Sequence, residues 1–498
     1  MVLLTAACSG TTGNPPTTTG AVAAPQPATV APTTSPPTTQ TQTAAGSSQE
    51  SRGFTGPPTA LGIGDDYFPT LGNPGYDVDH YVLELVFDPE TTTLNGIATI
   101  EAAATTDLDT VNLDFAALTV RSVVVDGTAA DFRQVEEDLA IIPQRRISAG
   151  EAFVIEVEYG GNPSQARSAA VPFGIGWKTV GDANYIVAEP DAAHTWFPAN
   201  DHPLDKATYT FRITVPEDVV AAANGNLVDQ ITDVGTTTWV WEVTSPMASY
   251  LATMVIGDFD IVADPIASAA AGVPIRHVLP AGTTVADWPG LERQGEMIAF
   301  LAESFGPYPF DTYGIAIVDG FGAALENQTL SLFDSNLSAS AFFEDVLIHE
   351  VAHQWFGDSV SLGGWADIWL NEGFASYAEW LWIEREAGRD VLEREIAAER
   401  DLFEGAGFNG PGEPPSFDLF NGSVYRVGAM TLHALRLTVG DAAFFEILRA
   451  YSSKFADKSV TTADFIAVAE SISGRDLTDL FESWLYENKV PEFPAATG

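Results

Sequence analysis

Between Tyr76 and about Val262 apolar residues alternate with polar ones at a spacing of two. Tyr81, Leu83, Leu85 and Phe87 form one run, Phe153, Ile155, Val157 and Tyr159 a second, and Tyr209, Phe211, Ile213 and Val215 a third. This period places the apolar side chains of an extended segment on one face, the signature of a half-buried strand. Asp126-Gly127 and Asn224-Gly225 read as turns separating such runs. The pattern predicts an antiparallel sandwich or saddle of many strands. After about Pro265 the period changes. Stretches near 289–305, 341–356, 370–387, 425–437, 442–455 and 476–488 repeat their apolar residues every three or four positions, which predicts a mainly helical second part. The expected fold class is therefore multidomain α+β, and no internal repeat of fixed period is present.

The length of 498 residues exceeds what one core supports, about 250 to 300 residues, so more than one domain is expected. Hydrophobic residues make up 46 % and aromatics 11 %, enough to bury a sizeable core. Residues 9–62 differ: they are rich in Thr, Pro, Ala and Ser and read as a disordered linker. The expected organisation is a remnant of a lipoprotein signal over 1–8, that linker over 9–62, an N-terminal β domain over 63–264 and a second domain over 265–498. The first residues, MVLLTAAC, form a short apolar run ahead of the single cysteine, Cys8, and resemble the end of a bacterial lipoprotein signal. That predicts a protein at the cell surface or secreted, with a lipid anchor at Cys8. A lone cysteine excludes an intramolecular disulfide. The net charge of −46, from 22 Lys plus Arg against 68 Asp plus Glu, excludes nucleic acid as a natural partner, because such a surface repels phosphate. No stretch of about eighteen consecutive apolar residues is present to span a bilayer.

The chemistry concentrates in HEVAH at 349–353. On a helix, residues four apart share a face, so His349 and His353 can offer imidazole nitrogens to one zinc ion while Glu350 lies beside it. A third ligand follows after eighteen intervening residues: Glu372, in WLNEGFASYAEW. A His₂Glu set leaves the fourth position to water, the catalytic arrangement of zinc. Taken singly, the alternatives are two core histidines and a solvated helix carboxylate. Glu379, seven residues after Glu372, shares its helical face; it is either an acceptor for the second N–H of a ligating histidine or a surface carboxylate.

With these residues in place, the chain resembles the gluzincin aminopeptidases, the family of alanyl and puromycin-sensitive aminopeptidases that also includes leukotriene hydrolase. The likeness covers about residues 76–493. It runs through YDVDHYVLELVFDPE at 76–90, AEPDAAHTWFPANDHPLDKATY at 188–209 and FGPYPFDTYG at 305–314. It continues in ALENQT at 324–329, the zinc segments, SVYRVGAMTL at 423–432 and FESWLYENKVPEFP at 481–494. The resemblance implies a β saddle followed by a thermolysin-like catalytic domain with one zinc ion per chain. It also implies roles for further residues. The family's Gly-Ala-Met-Glu-Asn segment appears as Ala323-Ala324-Leu325-Glu326-Asn327, so Ala323, Ala324 and Asn327 lie along the substrate and Glu326 binds its ammonium group. Glu189 falls at the second amine-binding carboxylate, with Val187 where a glutamine is usual, and Tyr425 at the tyrosine aimed at the oxyanion.

These expectations combine into a zinc aminopeptidase acting on peptides with a free N-terminus, in which a zinc-activated water attacks and Glu350 serves as general base and then acid. Two rivals share parts of the pattern: a thermolysin-like endopeptidase, which has no use for an amine anchor, and a lipid-anchored binding protein without chemistry.

Overall fold

A computed structural model describes residues 62–337, 340–404 and 407–495. The expected signal remnant with Cys8 lies outside the described residues, as does the expected linker up to residue 61. The alternating runs become an eight-stranded sheet. From one edge to the other its strands are Asn226–Asp233, Thr236–Ala248, Lys206–Pro216, Tyr76–Asp88, Thr93–Ala104, Ala152–Gly161, Thr119–Val125 and Thr128–Ala129. Burial follows the period: Tyr81, Leu83, Leu85 and Phe87 are buried while Glu84, Val86 and Asp88 are exposed. A bulge between Val78 and His80 shifts the phase, so that both Val78 and Tyr81 face inward.

One pairing departs from the antiparallel expectation. Tyr76–Asp88 and Lys206–Pro216 run parallel, with Tyr81 opposite Tyr209, Leu83 opposite Phe211 and Leu85 opposite Ile213. A parallel pair needs a long crossover, and more than a hundred residues of other strands supply it here. The inner face stacks Tyr81 on Tyr209 at 5.0 Å. A five-stranded sheet, Val220–Ala223, Met254–Gly257, Ala183–Val187, Gly174–Val180 and Gln165–Arg167, packs against this face, for example through Trp177 on Phe87 at 5.0 Å.

The two turn signals have different fates. Asp126 (φ 48°) and Gly127 (φ 71°) form the tight hairpin between Thr119–Val125 and Thr128–Ala129. Asn224-Gly225 is instead a buried junction where the chain leaves one sheet for the other. Asn224 Nδ2 donates to the carbonyls of Leu251 and Gln328, and Thr253 N donates to Asn224 Oδ1. That asparagine thus ties the β-rich part to the segment that follows Glu326.

The second part holds a five-stranded sheet as well as helices. Its order is Phe259–Ala263, Arg276–Pro280, Ile315–Val318, Ser331–Asp334 and Ala324–Leu325. The first of these strands precedes Pro265, so the change of period at 264/265 cuts this sheet. A short strand has the same period whichever sheet it joins. The helices are Pro265–Ala271, Gln294–Phe305, Phe343–His353, Trp369–Ala387, Arg389–Phe403, Gly428–Val439, Asp441–Lys454, Thr462–Ser473 and Thr478–Phe481. Apolar periodicity did not reveal Pro265–Ala271, Arg389–Phe403 or Thr462–Ser473. Arg389–Phe403 buries only Leu392 and Ile396, although Leu392, Ile396 and Phe403 recur at helical spacing.

Candidate metal centre

The HEVAH helix, Phe343–His353, is buried from Val346 to His353. Beside it lies the NEG helix, Trp369–Ala387, buried from Trp369 to Trp382. His349, His353 and Glu372 meet in the space between, with ligand atoms all within 4.8 Å of one another. Glu372 Oε2 stands 3.1 Å from His349 Nε2 and 3.4 Å from His353 Nε2. Ligand atoms 2.0–2.2 Å from a shared tetrahedral zinc would stand roughly 3.3–3.5 Å apart, so the spacing fits. The outer nitrogens fix the ring orientations. His349 Nδ1 is 2.7 Å from Glu379 Oε1, and His353 Nδ1 is 3.0 Å from the Phe356 carbonyl. With both Nδ1 atoms donating, both Nε2 lone pairs point at Glu372 and the space before it. Glu379 is therefore the acceptor for a ligand histidine, the first of the two readings open from sequence.

Charge follows the same logic. Burial would raise the Glu372 carboxyl, but the imidazoles facing it hold it well below the ordinary range. Glu350 is fully buried and its carboxylate accepts no hydrogen bond among the described residues. Burial pushes it up, with Glu326 and Glu372 adding to the effect.

The carboxylates expected to hold an amine arrive at the same place. Glu189, Glu326 and Glu372 have oxygens within 4.8 Å of one another, and carboxylate oxygens of Glu326 and Glu350 with an imidazole nitrogen of His353 form a second such group. Glu189 is pushed well above the carboxylate range by burial, then by Glu326. Glu326 follows Ala324–Leu325, the last strand of its sheet, which pairs only with Ser331–Asp334 and leaves its other side open among the described residues. Ala323 has no positive φ, so alanine in place of the family's glycine sits there without strain, and the left-handed positions fall on Gly320 and Gly322. Gln354, the residue after His353, clamps this edge: its Nε2 donates to the Glu326 carbonyl at 3.1 Å and its Oε1 accepts from Thr329 N at 2.9 Å. Asn327 turns the other way, its Nδ2 donating to the Leu251 carbonyl.

Tyr425 sits in a π-helical turn, Ser423–Val427, that leads into Gly428–Val439. Its ring stacks on His349 at 6.0 Å and 19°. Burial and the Glu372 carboxylate push its hydroxyl well up, keeping it a proton donor. Two glycines permit the approach: a Cβ on Gly373 would lie 3.0 Å from Gly428 Cα, and one on Gly428 would lie 3.0 Å from Gly373 Cα.

This architecture has known counterparts. A model described as the Peptidase M1 N-terminal domain matches residues 77–251, and one described as the Peptidase family M1 domain matches 290–484. The crystal structure of an M1 zinc metallopeptidase from Deinococcus radiodurans matches with a TM-score of 0.81 and 31% identity, over 88% of this chain and 99% of that one. The chain belongs to peptidase family M1. A single-residue variant from the same organism, bound to a Tyr-Ser-Ala substrate, matches this M1 chain with a TM-score of 0.80 and 31% identity, over 88% of this chain and 100% of that one. Aminopeptidase M1-A of Oryza sativa subsp. japonica is 30% identical over 330 residues, which is 61% of this M1 chain and 37% of the relative. The chain thus spans well under half the length of that curated relative. The donor set fits the zinc that the family binds, because two preset imidazole nitrogens and a carboxylate oxygen stand at the spacing that zinc requires.

One residue beside the centre escaped the sequence reading. Arg426 bonds Glu379 Oε2 at 2.7 Å. Its signal was present: in a chain poor in cations, a basic residue stands between Tyr425 and Val427 in a largely apolar motif.

Proposed function

We propose that this chain is a zinc aminopeptidase that hydrolyses the first peptide bond of substrates bearing a free N-terminus. His349, His353 and Glu372 would hold the ion. Bound zinc would acidify its water and polarise the scissile carbonyl. Glu350, buried and close to Glu326 and His353, takes the proton from the attacking water and returns it to the departing amine. The Tyr425 hydroxyl donates to the carbonyl oxygen as negative charge builds there, an interaction stronger in the transition state than in the ground state.

The observation that carries the reading is the convergence of Glu189 and Glu326 on Glu372. A protease that cuts inside a chain gains nothing from two buried carboxylates beside its metal. An α-ammonium group neutralises them and sets the cut one residue away. The test compares hydrolysis of an alanyl chromogenic amide with that of its N-acetyl derivative, alongside zinc content. Acetylation removes the cation that these carboxylates attract, about 2 to 5 kcal/mol by analogy with truncated ion pairs. The blocked amide should be cleaved at least about 10²-fold more slowly. Equal rates, or preferential cutting of internal bonds in a long peptide, would establish the endopeptidase instead.

We also propose that Cys8 carries a lipid and that the Thr/Pro-rich stretch after it spaces the enzyme from a membrane. The small residues before Cys8 and the composition after it support this. Palmitate labelling of wild type but not of Cys8→Ala is the expected result, and equal labelling would refute it.

A further inference from the structure

Arg426 belongs to a closed circuit of contacts around His349. It is joined to Tyr425 through the peptide bond. Its Nη1 donates to Glu379 Oε2 at 2.7 Å. The other oxygen of Glu379 accepts from His349 Nδ1 at 2.7 Å, and the His349 ring stacks on Tyr425 to complete the ring. Further carboxylates face the same guanidinium. Glu399 Oε1, on the helix Arg389–Phe403, is 3.8 Å from Arg426 Nε. Asp345, one turn before His349 on the HEVAH helix, feels the same cation. One side chain thus joins the HEVAH helix, the NEG helix, the helix after it and the turn that bears Tyr425.

We propose that Arg426 is a positioning residue: by gripping Glu379 it holds the ring of the ligand His349, and by the same grip it holds the turn that presents Tyr425, so that metal retention and oxyanion geometry depend on one contact. This rests on the aminopeptidase reading only for the part played by Tyr425. With one carboxylate oxygen on imidazole and the other on guanidinium, Glu379 cannot rotate without breaking a charge-assisted hydrogen bond. Without the guanidinium, Glu379, Glu399 and Asp345 face one another as like charges, and the cheapest relief is for Glu379 to swing away from His349. A lysine would supply charge but not the planar fork that bonds Glu379 while facing Glu399.

The test uses full-length zinc enzyme with Arg426→Met, Arg426→Lys, Glu379→Gln and the double variant Arg426→Met/Glu379→Gln. It follows zinc release to a chelator together with kcat and KM on an alanyl amide. Arg426→Met should speed zinc release about 10- to 100-fold and lower kcat far more than it raises KM, with Arg426→Lys recovering part of both. Adding Glu379→Gln to Arg426→Met should change zinc release by less than about twofold, because the link is already cut. The proposal is overturned if Arg426→Met lowers the melting temperature while zinc release and kcat stay within twofold of wild type, or if the two substitutions act independently. Should the Met variant not fold, Arg426→Lys decides: faster zinc release supports the clamp and unchanged release overturns it. Wild-type enzyme that keeps zinc yet cleaves no free-amine substrate would sink the functional reading while leaving the zinc-release result intact.

Discussion

The contact between Gly373 and Gly428 sets the distance between the helix that carries Glu372 and the turn that carries Tyr425, and Gly373→Ala perturbs it. The added Cβ would lie 3.0 Å from both the Cα and the carbonyl carbon of Gly428, and 3.4 Å from Ala429 N. Carbon atoms rest at about 3.5 to 4.0 Å, so the helices must part by about half an ångström or more. Such overpacking costs about 1 to 3 kcal/mol. Alanine gains about 0.8 to 1.0 kcal/mol over glycine inside a helix, which leaves a net loss of about 0 to 2 kcal/mol. Unfolding free energy should therefore fall by no more than about 2 kcal/mol. Activity should suffer more, since a displacement of 1 Å at a catalytic site can cost about 10²-fold and half that displacement about tenfold. The assay is kcat on an alanyl amide beside the unfolding free energy. A variant that gains the full helix preference of alanine and keeps kcat within twofold would refute the close-contact argument.

His349→Ala, His353→Ala and Glu372→Ala should each abolish bound zinc and turnover, whereas Glu350→Gln should keep zinc and lose activity; metal analysis on purified variants checks both. Tyr425→Phe keeps the ring that stacks on His349 and removes one donor, so kcat should fall about 10²- to 10³-fold with KM little changed. His194 is buried against Asp201 at 2.7 Å. Burial alone would lower its pKa, but Asp201 raises it to about 9. Its folded pKa therefore lies above the unfolded value of about 6.5, so the stability it confers is complete below that value and is lost as pH rises through about 9. Asp114, raised to about 7, and Asp191, raised to about 6, titrate lower. Melting temperature should fall between pH 7 and 9 in wild type and stay flatter in His194→Gln.

The sequence alone determined what is local. A spacing of four on a helix places His349 and His353 side by side, and a spacing of two places Leu83, Leu85 and Phe87 on one face; both follow from backbone geometry within a few residues. Motif resemblance supplied Glu189, Glu326 and Tyr425, residues that no local pattern connects. Tertiary structure decided what depends on pairing across long separations. Tyr76–Asp88 runs parallel to a strand more than a hundred residues away, and Asn224-Gly225 became a buried junction because its partners, Leu251 and Gln328, come from elsewhere in the chain. Strand period and turn composition are unaffected by either outcome. The same holds at the metal centre. Glu379 could have faced water until Arg426 and His349 closed on its two oxygens. Gly373 and Gly428 carry no side chain to form a pattern, and their importance arises only where two backbones meet.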